Sequence, residues 1–300
     1  MSITAENIFE KGVLVNVKIS AFTGRAKLSS KQIEEKDLPT EIVRGVVDLY
    51  SGEMRNLLKR IEEHDNKTRN IVWTMSIPFP IDGIYFVSAK NLNLLSERLN
   101  VRKEEREKLI EEAAEYIEQG IKEYSERFPE FYEENLKKGK YLNKERFKSK
   151  FNFKFNYFQI SVPNENSANF ITSEIFNEEM KKFKNEINEM KAEVVNIIHA
   201  ELLTKAKRLL EQSTTTKPNQ KTLNTLNEFF DKISNVYSDF IDRKDLEDII
   251  KKFKETVSGV NADDIRTDGT FKKSFAAKIK EVANTLEIMP NVKLQRAIEF

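Results

Sequence analysis

Residues 172–212, TSEIFNEEMKKFKNEINEMKAEVVNIIHAELLTKAKRLLEQ, contain no proline and no glycine. Within them Phe176, Met180, Phe183, Ile187, Met190, Val194 and Ile197 recur at alternating steps of four and three. That spacing puts them on one face of a helix, as a heptad seam. The polar stretch STTTKPNQK, residues 213–221, follows. A second seam then runs through Leu223, Leu226, Phe230, Ile233, Tyr237 and Phe240, and resumes at Leu246, Ile249, Phe253 and Val257. Two long helices joined by a short polar loop predict an antiparallel hairpin. At ~1.5 Å per residue, about 40 residues span about 60 Å, so the spacing predicts a projecting coiled-coil arm over about 172–258. Gly259 ends the second helix, and 270–286 and 291–299 read as short terminal helices.

Outward from the arm, the N-terminal half mixes two periods. Val13 to Phe22 (VLVNVKISAF) alternates, with Val13, Val15, Val17 and Ile19 on one face of a strand. Ser29 with Gln32 three residues later reads as the cap of a short helix. Pro39 occupies a first helical position, and Val43, Val46, Val47, Tyr50, Met54, Leu57, Leu58 and Ile61 predict a helix over about 40–63, with Gly52 its weak point. NIVWTMSI, residues 70–77, alternates and predicts a strand. Pro78, Pro80 and the Asp82-Gly83 pair make a turn, and Ile84 to Val87 is the returning strand. Helices over about 90–99 and 101–127 follow, and Pro129 interrupts the pattern. The clearest strand is 151–162, FNFKFNYFQISV. The expected fold is α+β, mostly α. A small mixed or antiparallel sheet packed with helices forms a base domain over 1–170, and a helical hairpin with a short helical tail covers 171–300.

Composition removes many chemistries. Of 300 residues, 50 are Lys or Arg and 49 are Asp or Glu, a net charge of +1. A chain so balanced does not coat a nucleic acid with its whole surface, though a local basic patch is compatible with it. With no cysteine, disulfide scaffolds, Cys-ligated metal sites and thiol nucleophiles are excluded. The 21 Phe supply the core instead. Absence of cysteine fits a cytoplasmic protein. No apolar run approaches the roughly 20 residues of a spanning helix, and the first twenty residues do not read as a signal peptide, so no membrane partner is expected.

Reactive motifs are nearly absent from the sequence. There is no glycine-rich phosphate loop and no nucleophile elbow. His199 reads as a helix-surface or satisfied core histidine, and His64 as a cation at a helix end, where the dipole favours it. Asp264 to Gly269 superficially resembles a calcium loop. Arg266 and Phe275 occupy two ligand positions, so a capped turn is the better reading. Pro80-Ile81-Asp82 with Ser88-Ala89-Lys90 echoes a nuclease core, but Ser88 stands where the second carboxylate belongs. Acid pairs such as Glu104/Glu105 and Glu111/Glu112 lie among Lys and Arg and read as solvated helix faces. No catalytic residue, metal ligand or cofactor is expected.

One segment has binding character. From Lys144 to Tyr157, the cations Arg146, Lys148, Lys150 and Lys154 interleave with Phe147, Phe151, Phe153, Phe155 and Tyr157. Single-strand nucleic-acid binders combine backbone-tracking cations with aromatic platforms. The competing reading, which leads, is a strand with a buried Phe face and a wetted Lys face. Arg25 and Lys27, in the turn after the first strand, would add to a basic surface. The arm's tip, Ser213, Thr214, Thr215, Thr216 and Lys217, is the candidate partner contact. The first functional expectation is therefore a scaffold that binds a protein partner, or itself, through its helices. The second is a single-stranded nucleic-acid-binding protein, and the third an enzyme whose carboxylates assemble only in the fold.

Val13 to Leu28 (VLVNVKISAFTGRAKL), then Leu38-Pro39 and the helix that follows, resembles an uncharacterised bacterial and phage family, a domain of unknown function. The carrying element is Phe22, Gly24, Arg25, Lys27 and Leu28, with Phe where Trp is more usual. The resemblance covers about the first two-thirds of the chain. It implies no known catalytic residue, and it implies companionship with ring-forming ATPase and adhesion-type domain systems.

Overall fold

The structure, a computed structural model, describes residues 7–27, 46–160, 173–214 and 219–291. The Ser29–Gln32 cap, Pro39, Thr215, Thr216, Lys217 and the helix expected over 291–299 lie outside the described residues, the last of these all but residue 291. The short helix α1 (Ile8–Lys11) leads into β1 (Gly12–Ser20), β2 (Arg25–Lys27) and β3 (Val46–Asp48). Helix α2 (Gly52–Met75) is followed by the hairpin β4 (Ile77–Pro78) and β5 (Ile84–Ser88), then α3 (Ala89–Arg127), α4 (Pro129–Lys137), α5 (Lys144–Lys148) and β6 (Asn152–Phe158). The C-terminal half is helical: α6 (Ser173–Thr214), α7 (Gln220–Lys232), α8 (Lys244–Val257), α9 (Ala262–Thr267) and α10 (Gly269–Ile288). One sheet has the order β4-β5-β1-β6, and β2 pairs with β3 in a second. The protein is α+β and mostly α, as its periodicities predict.

The chain divides into two compact units. The first comprises Met1–Val15, Thr74–Asn93 and Tyr157–Phe300. The second comprises Asn16–Trp73 and Leu94–Asn156.

In the first unit the second seam lies where its spacing puts it. Leu223, Leu226, Phe230, Ile233, Tyr237 and Phe240 are all buried, as are Leu246, Ile249, Phe253 and Val257. They do not form one rod. A π-helical turn (Ile233–Tyr237) and a 3-10 turn (Ser238–Phe240) separate α7 from α8. The α6 seam also drifts. Ile187, Met190 and Val194 are buried, but Ile197 is 48% exposed and Ile198, Leu202, Ala206 and Leu209 take over. Steps of four outnumber steps of three there, the period of a straight packed helix rather than a supercoiled one. Nor do the helices close on one another as a free-standing pair. Helix α10 packs along α6, with His199 Nε2 2.7 Å from the Leu286 carbonyl and Lys207 2.8 Å from Glu287. Helices α6, α7, α8 and α10 share one core with Ile8, Leu14, Ile77, Phe79 and Phe86. His199 is thus a satisfied core histidine.

The second unit is built on α2 and α3. Met54, Leu57, Leu58, Ile61, Asp65, Thr68 and Val72 form the buried stripe of α2. Of the helix expected over 40–63, residues 40–45 lie outside the described residues, Val46–Asp48 is a strand paired antiparallel with β2, and helix starts at Gly52, at φ +55°. The strand expected over 70–77 is the last turns of this helix and the first residue of β4. Its alternation of Ile71, Trp73 and Met75 misleads: Val72 and Met75 are buried, three apart, while Trp73 is 56% exposed. Helix α3 runs antiparallel to α2. Arg60 meets Glu112 at 2.8 Å, Asp65 meets Arg106 at 2.7 Å, and Arg102 Nη2 donates to the His64 carbonyl at 2.8 Å. Gly120 lets α3 approach, since a Cβ there would stand 2.7 Å from Met54 Cβ. Asp268, in the rejected calcium loop, caps α10 by accepting from the Thr270 and Phe271 amides.

Candidate functional site

Two basic segments that are far apart in sequence meet in the second unit. A groove of about 700 Å³ is lined by Arg25, Lys27, Lys140, Arg146 and Lys150, with Phe22 and Leu49 among its apolar residues. Strand alternation sets the first wall. Ala26 is buried, so its neighbours Arg25 and Lys27 point outward. The turn before them is fixed by Gly24 at φ +65°, where a Cβ would stand 2.4 Å from Leu58. The Gly24 carbonyl accepts the Leu49 amide at 2.7 Å, and Arg55 Nη1 donates to the Thr23 carbonyl at 3.2 Å. The second wall is set by α5. The Asn143 side chain caps it by accepting from the Arg146 amide at 3.0 Å, and fully buried Phe147 pins it to the core. Lys140 follows the left-handed Gly139, and its Nζ donates to the Lys27 carbonyl at 3.4 Å.

Charge in the groove is weakly compensated. Arg25 lies 3.2 Å from Asp48, which also faces Arg55 at 3.6 Å. Among the described residues, no carboxylate lies within ion-pair distance of Lys27, Lys140, Arg146 or Lys150. Four cations around one concavity, with no acid partner among the described residues, form a site for anionic oxygens.

The other sequence candidates divide. Lys148 points away from the groove and ion-pairs with Glu111, whose carboxyl it holds below its usual range. Lys144 meets Glu115, and Glu111 at 3.5 Å. Phe151 is half-buried, packed 4.9 Å from the Phe147 ring. Phe153 is 7% exposed and serves as core rather than as a stacking platform. Lys154 is exposed on β6 outside the groove, and half-buried Tyr157 belongs to the first unit. At the arm's tip Ser213 is buried, donating to the Leu209 carbonyl at 2.7 Å, and exposed Thr214 donates to Leu210 at 2.9 Å. Sequence reading missed Lys140, although Lys137-Lys138-Gly139-Lys140 is a basic turn.

Behind the groove lies a buried polar network between α2 and α3. Arg106 forks onto Asp65, at 2.7 Å from Nε to Oδ1 and 3.0 Å from Nη2 to Oδ2. His64 sits beside it, mid-helix and buried rather than at a helix end, because α2 continues to Met75. Its Nε2 is 3.4 Å from Glu105. Burial, and next the Arg102 guanidinium, hold its imidazole below the ordinary value, so it is neutral at pH 7. Tyr50, Tyr124, Tyr132 and Tyr141 cluster nearby, with ring centroids 5.1–6.1 Å from Tyr141. Burial pushes the Tyr50 phenol up to about 12. Among the described residues, no group of three Asp, Glu or His side chains could hold a metal ion, and no helix is long and apolar enough to cross a membrane.

The chain belongs to the family described as Protein of unknown function (DUF3150), whose model matches residues 9–280. No curated protein and no solved structure matches it.

Proposed function

We propose that this protein binds single-stranded nucleic acid in the groove of its second unit. One observation carries the reading: Arg25, Lys27, Lys140, Arg146 and Lys150 converge on one concavity. Lys/Arg groups that neutralise phosphates supply most of the affinity of such complexes. Concavity favours a single strand. A duplex reader presents a protruding helix or ribbon to a DNA groove, whereas a single strand is drawn into a basic channel. The experiment is fluorescence anisotropy with a labelled oligothymidine at low and moderate salt. Binding that weakens steeply with salt, and that is lost when Lys27, Arg146 and Lys150 are replaced, supports the reading. Absence of binding at 50 mM salt overturns it, the condition at which ionic contacts are strongest.

A second reading, self-association through helices, has its own observation. The first turns of α6 carry Phe176, Met180 and Phe183 half-buried and Ile175 51% exposed, whereas Ile187, Met190 and Val194 are buried. The same face on a second copy would complete the seam in a two-fold pair. Sedimentation velocity at tens of micromolar then gives a dimer that Phe176→Glu/Phe183→Glu returns to monomer; a monomeric wild type removes this reading.

A further inference from the structure

We infer that Arg106 is the positioning residue of the basic groove, a buried cation that holds its two walls in register without touching the ligand. The inference rests on the groove being the binding site proposed above. Arg106 is 2% exposed. Beyond its fork onto Asp65, its Nη2 also donates to the Ser20 carbonyl at 2.8 Å. Ser20 is the last residue of β1, and the chain passes directly from it into the wall that carries Arg25 and Lys27. On the other side, the Arg106 guanidinium stands 5.6 Å over the Phe151 ring. Phe151 immediately follows Lys150, and its ring packs against Phe147, which lies 6.0 Å from Phe22 on the opposite wall. One planar guanidinium therefore touches the root of each wall.

The geometry separates this role from simple helix pairing. To join α2 to α3, the Asp65–Arg106 fork alone suffices. The Ser20 and Phe151 contacts lie outside that pair, and each is to the chain neighbour of a residue that lines the groove, Ala21 and Lys150. Arginine suits the task because its donors form a rigid planar fork with a stackable face; a lysine has neither. Asp65 is needed because a lone buried guanidinium would carry an uncompensated charge.

The test uses the cysteine-free chain. Spin labels at Thr23→Cys on one wall and at exposed Glu145→Cys on α5, which sets the other, report wall spacing by pulsed electron spin resonance. Unlabelled protein reports oligothymidine affinity and its salt slope. Wild type is compared with Arg106→Lys and with Asp65→Leu/Arg106→Met, which replaces the ion pair by apolar groups of similar size and leaves no orphan charge. The expected result is a broadened spin–spin distance in both variants. The strand is then tracked by the three cations of one wall, so the salt slope falls from about −3.5 to about −2, and affinity at 50 mM salt drops roughly 50-fold. A purely structural role lowers the melting temperature but leaves the wall distance and salt slope of the folded variants unchanged, and that result overturns the inference. Should the double variant not fold, Arg106→Lys is read by the same criteria. Should wild type bind no oligothymidine, the proposed function fails, and the distance measurement alone still decides the role of Arg106.

Discussion

Replacing Lys27, Arg146 and Lys150 together by alanine removes three of the groove's five cations. All three side chains are exposed, and none has a carboxylate partner among the described residues, so stability should move by less than about 0.5 kcal/mol. The effect on binding is large and calculable. Each phosphate neutralised on a single strand contributes a slope of about −0.7 in log K against log salt, so five contacts give about −3.5. Arg25 already shares Asp48, and leaving it out of the count lowers the slope only to about −2.8. Raising salt from about 50 to 200 mM should therefore weaken wild type roughly 50- to 130-fold. The triple variant keeps Arg25 and Lys140, with a slope of about −1.4 and a loss of about sevenfold over the same interval. At 50 mM the variant should bind several hundredfold more weakly than wild type, from three lost contacts of about −0.7 each. The assay is anisotropy titration at four salt concentrations, with Lys154→Ala as the control outside the groove. A wild-type slope flatter than about −1, or a control that loses as much as the triple variant, refutes the reasoning.

Other predictions concern the second unit's core. Gly120→Ala places a methyl 2.7 Å from Met54 Cβ, which cannot swing away, so the urea midpoint should fall by the equivalent of about 1–3 kcal/mol with m unchanged. Tyr141→Phe removes a buried hydroxyl that has no partner among the described residues; thermal melting should show stability held or raised by about 1 kcal/mol, and a clear loss would reveal a hidden partner. His64 is held below its ordinary value in the folded chain, so only the unfolded chain takes up its proton as pH falls past about 6.5. Its contribution is complete above that pH and is lost toward acid, so between pH 7.5 and 5.5 the urea midpoint should fall further in wild type than in His64→Gln. Equal falls would exclude His64 as the cause.

Local period was readable wherever packing obeyed it. Leu223 to Val257 kept every buried position, because a helix against a continuous core must repeat near 3.6. It misled where two periods agree over a few residues. Ile71, Trp73 and Met75 alternate, but Ile61, Asp65, Thr68, Val72 and Met75 lie on one helical stripe that only a longer window reveals. The turns at 233–240 carry no breaker at all, since a π-turn changes only which carbonyl each amide meets.

The groove was half legible for a different reason. Composition marked Arg25 and Lys27, and separately Arg146, Lys148 and Lys150, as basic segments, but which cations stay unpaired is decided by what stands opposite. Lys148 and Lys150 are two residues apart and read alike in sequence. One turn of α5 aims Lys148 at Glu111 on α3 and leaves Lys150 facing the groove. Lys140 reaches the Lys27 carbonyl across 113 residues, a separation no local pattern encodes. Which cations make such a site is therefore decided as much by the acids that face each lysine among the described residues as by the lysines themselves. Introducing one acid within the groove lining, as Thr23→Glu would, should reduce binding about as much as deleting one cation, because the site depends on net rather than local charge.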